Sequence, residues 1–471
     1  MNKRVSALIV AATLSTALLP LQVLASQANA PLPFFATAHT ILKDSIAMRT
    51  VEGYGQVPRL AEYLADKFRQ GGFDEQDIHL LPQGETTALI VRFRGDGRSG
   101  KKPILLSAHM DVVEANPDDW QRNPYELTEE DGFYFGRGTS DNKFGVATLS
   151  TTLLRLKAEG FVPSRDIILA LSGDEETAMA TTMLMAGKYK HLIDAEFALV
   201  ADGGGGLLDE AGQPISFTVD SAEKTYATYQ VTARNPGGHS SLPRTDNAIY
   251  DLVQALANLR DHDFAVRYND LTLAYFRHTA PLVDKAIGDA MLTFADNPQD
   301  PQALAVLRAH PEFGGSTGTT CVATMLKGGH AENALPQSAS ATINCRIFPG
   351  ISVEDTLAEL RQVTNNAALE WQVLDAPKAS DASPMREDVF TAIANAVHAK
   401  YPGLPIIPHM ASGASDALHF RAAGIPSYTF TGIFIKSSDE FAHGLNERVP
   451  VETLPFALGM WHSILTELAG D

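Results

Sequence analysis

The sequence predicts an α/β protein: a mostly parallel sheet with helices on both faces, and a smaller ferredoxin-like α+β unit inserted into it. Three observations carry this. The runs "PILLSA" before His109 and "DIILALS" before Gly173 are almost wholly apolar, as strands buried on both faces are. Such runs alternate with segments of helical spacing as far as Asp202, which marks a layered α/β structure. Beyond residue 220 the texture changes to alternating strands and amphipathic helices in the order β-α-β-β-α-β, the ferredoxin-like plan.

The elements follow in order. "MNKR", the apolar run "VSALIVAATLSTALL" and the small residues of "QVLASQANA" form an export leader, residues 1–28, cut after Ala25 or Ala28. The apolar run is short for a membrane span, so the mature chain is expected to be soluble and exported, periplasmic or secreted. "TAHTILKDSIAM" and "VPRLAEYLADKFRQGG" read as helices, the second stopped by Gly71 and Gly72. Strand "ALIVRFRG", helix "FGVATLSTTLLRLKAEG" and strand "AEFALVAD" continue the first part of a catalytic domain, residues 31–219. Residues 220–380 form the inserted domain: strand "TYATYQVTARN", helix "DNAIYDLVQALANLR", two cysteine-bearing strands, helix "SVEDTLAELRQVTNN" and strand "ALEWQVLDA". A helical, Pro-punctuated insertion, 262–315, interrupts it. Residues 381–471 return to α/β texture and complete the catalytic domain. The chain has 471 residues, too many for one compact core, so more than one domain is expected.

A formal net charge of −19 argues against nucleic acid or an anionic membrane as partner, because both require basic patches. Cys321 and Cys345 are the only cysteines. A hairpin centred near Asn333 sets them face to face, a register that permits a disulfide without ensuring its geometry.

Sites in parallel α/β sheets lie at the carboxyl ends of strands. Those ends carry His109 and Asp111, then Asp174, Glu175 and Glu176 in "SGDEE", then Asp202; "GRGTSDNK" adds Asp141 and "DEFAHGLNE" adds His443. A lone acid after a strand is usually a cap or a solvated residue. Several at successive strand ends, with two histidines, exceed what one tetrahedral ion needs and suit two ions sharing a carboxylate and a water.

"SAHMDVV", "GRGTSDNKFG", "SGDEE", "PGGHSS" and "AHGLNE" together resemble the dinuclear zinc family of glutamate carboxypeptidase, acetylornithine deacetylase, aminoacylase, carnosinase and Gly-Xaa carboxypeptidase. The resemblance runs from about residue 40 to the C-terminus. It implies two Zn2+ per subunit, with Co2+ or Mn2+ as substitutes. Asp141 would bridge the ions, His109 and Asp202 would complete one site, and Glu176 and His443 the other. Glu175 would be the general base and Asp111 would hold the His109 imidazole. In the inserted lid, His239 would stabilise the oxyanion, often across a homodimer, while Asn333 and Arg346 would hold the substrate carboxylate. Gly413 to Asp416 resemble a substrate-binding loop. Two positions depart from parts of the family: Asp202 stands where some branches have Glu, and Asn142 where many members have a second Asp.

The expected activity is hydrolysis of the amide bond in dipeptides or short peptides with a free C-terminal carboxylate. Deacylation of N-acyl amino acids is the alternative, and an inactive binding relative the third reading. "GGSTG" around Ser316 fits a nucleophile elbow only in letters, because a strand follows it where a helix is required.

Overall fold

The computed structural model describes residues 34–374, 376–411 and 413–470; the expected leader lies outside them. The chain opens with helices α1 (Phe35–Ala47) and α2 (Val57–Gln70). α2 buries Leu60, Leu64 and Phe68, one face at i, i+4 spacing. Hairpin strands β1 (Ile78–Gln83) and β2 (Thr86–Phe93) precede β3 (Ile104–His109). Short strands β4 (Thr128–Glu130) and β5 (Phe133–Phe135) lead to helix α3 (Lys143–Ala158). Next come β6 (Ile167–Ser172), α4 (Ala180–Ala186), α5 (Lys190–Ile193), β7 (Phe197–Val200), β8 (Gly205–Leu208) and β9 (Pro214–Glu223).

The second unit begins with β10 (Thr225–Arg234), β11 (Gly238–His239) and α6 (Ala248–Arg260). The insertion supplies α7 (Asp270–Thr279), α8 (Lys285–Asp296) and α9 (Pro301–Ala309). Then follow β12 (Thr320–Gly328), β13 (Ala334–Leu335), β14 (Ser338–Ile347), α10 (Val353–Thr364) and β15 (Glu370–Leu374). The chain returns through α11 (Glu387–His398), β16 (Ile406–Ala411), α12 (Ala417–Ala422), β17 (Ser427–Thr429), β18 (Phe434–Lys436), β19 (Arg448–Pro450) and α13 (Thr453–Gly470).

The main sheet runs β1-β2-β6-β3-β7-β17-β9-β8-β18, with β16 beside β9. Its centre, β6-β3-β7-β17, is parallel, as the apolar runs predict. Antiparallel pairs β1-β2, β2-β6 and β8-β9 join it to the flanks, where β8-β18 and β9-β16 are parallel again, so the whole sheet is mixed. Every residue of β3 and β6 is buried. Alternate side chains serve two cores. Leu106 and Leu169 meet α1, α2, α3 and α13 on one face, while Leu105, Ile168 and Ala170 meet α4 and α12 on the other.

The smaller sheet is antiparallel in the order β12-β14-β10-β15, the ferredoxin-like arrangement. Tyr229 and Val231 of β10 point into a core shared with Leu252 of α6 and Leu360 of α10. Side chains of Asn247 and Ser352 cap those two helices by accepting backbone N–H bonds. Cys321 and Cys345 pair directly across β12 and β14 and form a disulfide. The insertion packs Phe276, Met291, Phe294 and Leu307 into a core of its own, and α7 lies against β16. Ser316 falls in a short 3-10 turn (Gly314–Thr317) that feeds β12, so no nucleophile elbow forms there.

Candidate active site

The carboxyl ends of the parallel strands converge as their sequence order predicts. His109 closes β3, Glu175 and Glu176 follow β6, and Asp202 follows β7. Asp141 sits immediately before α3, whose amino end carries positive partial charge toward it. Gly145 lets that first turn approach the end of β7: a Cβ there would lie 2.7 Å from the Ala201 carbonyl oxygen. His443 reaches in from the loop before β19.

The contacts interlock. His109 Nε2 lies 2.8 Å from Asp141 Oδ1 and 3.4 Å from Asp202 Oδ1. His443 Nε2 lies 3.0 Å from both Asp141 Oδ2 and Glu176 Oε2. Asp141 therefore offers one oxygen to each histidine. Ligand atoms of His109, Asp141 and Glu176 all fall within 4.8 Å of one another, and so do those of His109, Glu175 and Asp202. The cluster borders a cavity of 330 Å³ that Gly203, Ala414, Thr431, Ile433, Ile435, Glu440 and Ala442 also line. A larger cavity, 580 Å³, opens between α6, the end of the insertion and β12, and none of the cluster lines it.

Burial of so many acids perturbs them. Burial, then the nearby Asp202, pushes the Glu175 carboxyl up to about 10. Burial raises Glu176 as well, against the pull of His443. Asp141 moves the other way: burial opposes the shift, but its bonds to His109 and His443 hold it well below the usual carboxylate range. His443 is drawn up to about 10, first by Asp141 and then by Glu176.

Asp111 is buried, and its role is wider than the sequence suggests. His109 Nδ1 lies 3.0 Å from the Asp111 backbone carbonyl and 3.4 Å from its carboxylate. That carboxylate also accepts the backbone N–H groups of Glu175 and Glu176 at 3.1 and 3.0 Å. Asp111 thus ties the loop after β6 to the end of β3. Asp174, beside them, accepts the backbone N–H groups of Ala180 and Thr181 at 2.7 and 2.9 Å, caps the start of α4 and holds the loop from below.

The predicted residues of the smaller unit lie apart. His239 pairs with Ala334 across β11 and β13, and the Asn333 carbonyl accepts the Ser240 N–H at 3.1 Å, so His239 and Asn333 share one exposed tip. Ser241 Oγ lies 2.7 Å from His239 Nδ1. Arg346 sits on β14 with its guanidinium 4.6 Å from the Tyr226 ring. None of the three lines the cavity at the carboxylate cluster. The "SGASDA" loop divides: Ala414 faces that cavity, whereas Asp416 is buried and accepts the hydroxyls of Ser172 and Thr182.

Residues 105–467 match peptidase family M20/M25/M40. The chain belongs to that family. It is 28% identical to an N-fatty-acyl-amino acid synthase/hydrolase of Xenopus tropicalis over 361 residues, 75% of this chain and 70% of that protein. Its fold is similar to that of an M20 family metallo-carboxypeptidase from Sulfolobus solfataricus, with a TM-score of 0.64 at 18% identity over 91% of this chain and 98% of the other. It is similar as well to a Bacillus subtilis M20 protein described as a dinuclear metal-binding peptidase, with a TM-score of 0.61 at 12% identity over 93% and 99%. This M20 protein is accordingly a hydrolase acting on peptide or amide bonds, and its family is metal-dependent.

The donors present in this M20 chain fit divalent metal. Two imidazoles and four carboxylates crowd together, and burial drives two of those acids, Glu175 and Glu176, toward neutrality in the absence of a cation. Asn142 fits too. Its amide donates to Asp202 Oδ1 at 2.7 Å and to the Ala201 carbonyl at 2.6 Å, so a neutral donor orients Asp202 without adding charge. Sequence reasoning missed two residues beneath the site, Arg137 and Glu447, although Glu447 closes the motif "AHGLNE" and Arg137 lies within "GRGTSDNK".

Proposed function

We propose that this M20 hydrolase cleaves the amide bond of dipeptides or short peptides bearing a free C-terminal carboxylate, with two Zn2+ as its metals. The observation that carries the reading is the pair of donor clusters, His109–Asp141–Glu176 and His109–Glu175–Asp202, that overlap at His109. His109 and Asp202 would hold one ion, Glu176 and His443 the other, with Asp141 between them; Co2+ and Mn2+ suit the same donors. Bound there, the metals supply Lewis acidity to the scissile carbonyl and to the attacking water. Glu175 takes the proton from that water and returns it to the leaving amine. Asp111 fixes both the His109 ring and the backbone on which Glu175 sits. Arg346 and Asn333 hold the substrate carboxylate, and His239 steadies the developing oxyanion.

In this reading residues 220–380 act as a lid, with 262–315 as its insertion, and close over a catalytic domain formed by 31–219 and 381–471. The smaller unit also supports homodimer formation. β12 is an edge strand whose Val322, Met325 and Leu326 are exposed, and Tyr250 and Val253 of α6 are exposed as well. A second copy of the chain covers such an edge economically. The leader sequence supports removal of residues 1–28 and export to the periplasm or beyond. Among the described residues no helix is long and apolar enough to cross a membrane.

A deacylase acting on N-acyl amino acids is the second reading. The apolar wall of Ile433, Ile435 and Ala442 favours it, as does the likeness to the Xenopus protein. Glu440 in the same cavity favours a peptide, because it offers a counter-charge to an α-ammonium group. The test is kcat/KM for Ala-Leu against N-acetyl-leucine and longer N-acyl-leucines, on protein stripped by chelator and reloaded with Zn2+. At least tenfold preference for the dipeptide, roughly the worth of one charge-assisted contact, supports the first reading. The reverse order establishes the second. Activity that survives complete removal of metal sinks both.

A further inference from the structure

We infer that the buried pair Arg137–Glu447 is a positioning device that locks the loop carrying Asp141 to the loop carrying His443, and so sets the affinity of the second metal. The inference rests on the two-metal reading proposed above.

Glu447 is fully buried and Arg137 nearly so. The Glu447 carboxylate accepts the Arg137 Nη1 donor at 2.6 Å. It also accepts three backbone N–H groups of the loop before α3: Gly138 at 3.1 Å, Ser140 at 2.7 Å and Asp141 at 3.1 Å. The Glu447 carbonyl takes a fourth, from Gly136, at 3.1 Å. That loop belongs to no helix or strand, and the amides of Gly138, Ser140 and Asp141 take this one side chain as their acceptor. Arg137 spends its other amino group on the carbonyls of His443 and Gly444, both at 3.2 Å. His443 itself is held with φ +61, a left-handed conformation that non-glycine residues seldom adopt unless their surroundings impose it.

A continuous chain of bonds therefore runs from the His443 backbone through Arg137 and Glu447 to the amide of Asp141. Above it, the same two residues meet again through their side chains, His443 Nε2 to Asp141 Oδ2. A buried ion pair adds little stability that well-packed apolar residues could not supply. What this pair adds is the fixed relation between two loops that lie more than three hundred positions apart in sequence. His109 and Asp202 stand at strand ends and do not touch the pair, so the site they form depends on it only through the shared Asp141, whereas the other site depends on it through both Asp141 and His443.

Glu447→Gln is the discriminating variant, because its amide nitrogen sets an N–H against loop donors that need an acceptor. Metal-free protein is titrated with Co2+ against a competing chelator, and the Co2+ d–d absorption is recorded at each step. The expected result is that one of the two binding steps weakens roughly 10–100-fold, as when a group that orients a ligand is lost, while the other, which feels the pair only through Asp141, weakens markedly less. The absorption of the second ion changes with it. A folded variant with both steps and both spectra like wild type overturns the inference, and so does equal weakening of both steps. Should Glu447→Gln fail to fold, the double variant Arg137→Met/Glu447→Gln, which removes both charges, takes its place. Wild-type affinity in that variant, or failure of it too to fold, assigns the pair to stability alone and overturns the inference. Wild-type protein that takes up a single ion overturns the two-metal reading and this inference with it; two ions in wild type and variant alike overturn only the inference.

Discussion

The carboxylate cluster and the tip of the smaller unit hold their functional groups in opposite ways. At the cluster, each ligand candidate is fixed from several directions. Asp141 meets two histidines with its side chain and Glu447 with its amide, and Asp202 meets Asn142 as well as His109. At the tip, His239 has a two-residue ladder and the neighbouring Ser241, and both His239 and Asn333 are exposed. The cluster is organised before any substrate arrives, as electrostatic catalysis requires. The tip is presented outward, as a group must be if it completes a site only on closure or from a second subunit.

The strongest way to break this contrast is Glu175→Gln. Turnover should fall roughly 10²–10⁴-fold while both metals are retained, measured by metal analysis beside steady-state kinetics. Loss of metal in parallel would make Glu175 a ligand rather than the base. Next in size is Arg346→Met. KM for carboxylate-bearing substrates should rise on the order of 10–100-fold with kcat little changed, and the two proteins should converge on substrates whose C-terminus is amidated. A matched fall in kcat instead would place Arg346 at the reacting centre.

The smallest effect concerns pH and the metal-free protein. His443 is raised from 6.5 to about 10 by Asp141 and Glu176, so the stability it contributes is complete below about 6.5 and is lost as pH rises toward 10. Glu175 is raised from 4.5 to about 10 by burial, so the folded chain retains a proton that the unfolded chain releases, which also costs stability as pH rises. Both act in the same direction, and they outweigh the buried Lys143 and Lys224, which burial lowers to about 7 and about 8 and which therefore add stability as pH rises. The melting temperature should decline on the order of a few degrees between pH 6.5 and 9.5, and bound Zn2+ should flatten the decline. A rise over that range would show that the acids are not crowded as described.

Much of this was legible in the sequence, for identifiable reasons. β3 and β6 are buried on both faces, so their letters are apolar but for Ser107, His109 and Ser172. The cluster residues stand at the ends of such strands, where the sheet must place them. β9 and β16 were not legible. "PISFTVDSAE" mixes apolar and polar residues without alternation although its second half is buried, and "IIPHMA" carries Pro408 within the strand. Asp174 was opaque for another reason: its partners are backbone amides of Ala180 and Thr181, which no side-chain pattern reveals. Glu447 was hidden in the same way, since a buried acceptor of main-chain bonds looks in sequence like any surface acid. The disulfide was legible as a register and became a bond only because β12 and β14 pair Cys321 directly with Cys345.

The insertion has a consequence for the protein in concentrated solution. Among the described residues β16 has a single strand partner, β9, which leaves it at a margin of the main sheet. A margin of that kind is a template on which another copy can add a strand and begin an aggregate. Here α7 lies against β16, with Tyr275 packed on His409 and Leu271 sharing a small apolar cluster with Met410. The helices that interrupt the smaller unit thus act as a guard rail for the larger one, and trimming 262–315 to a short loop would trade a compact chain for a self-associating one.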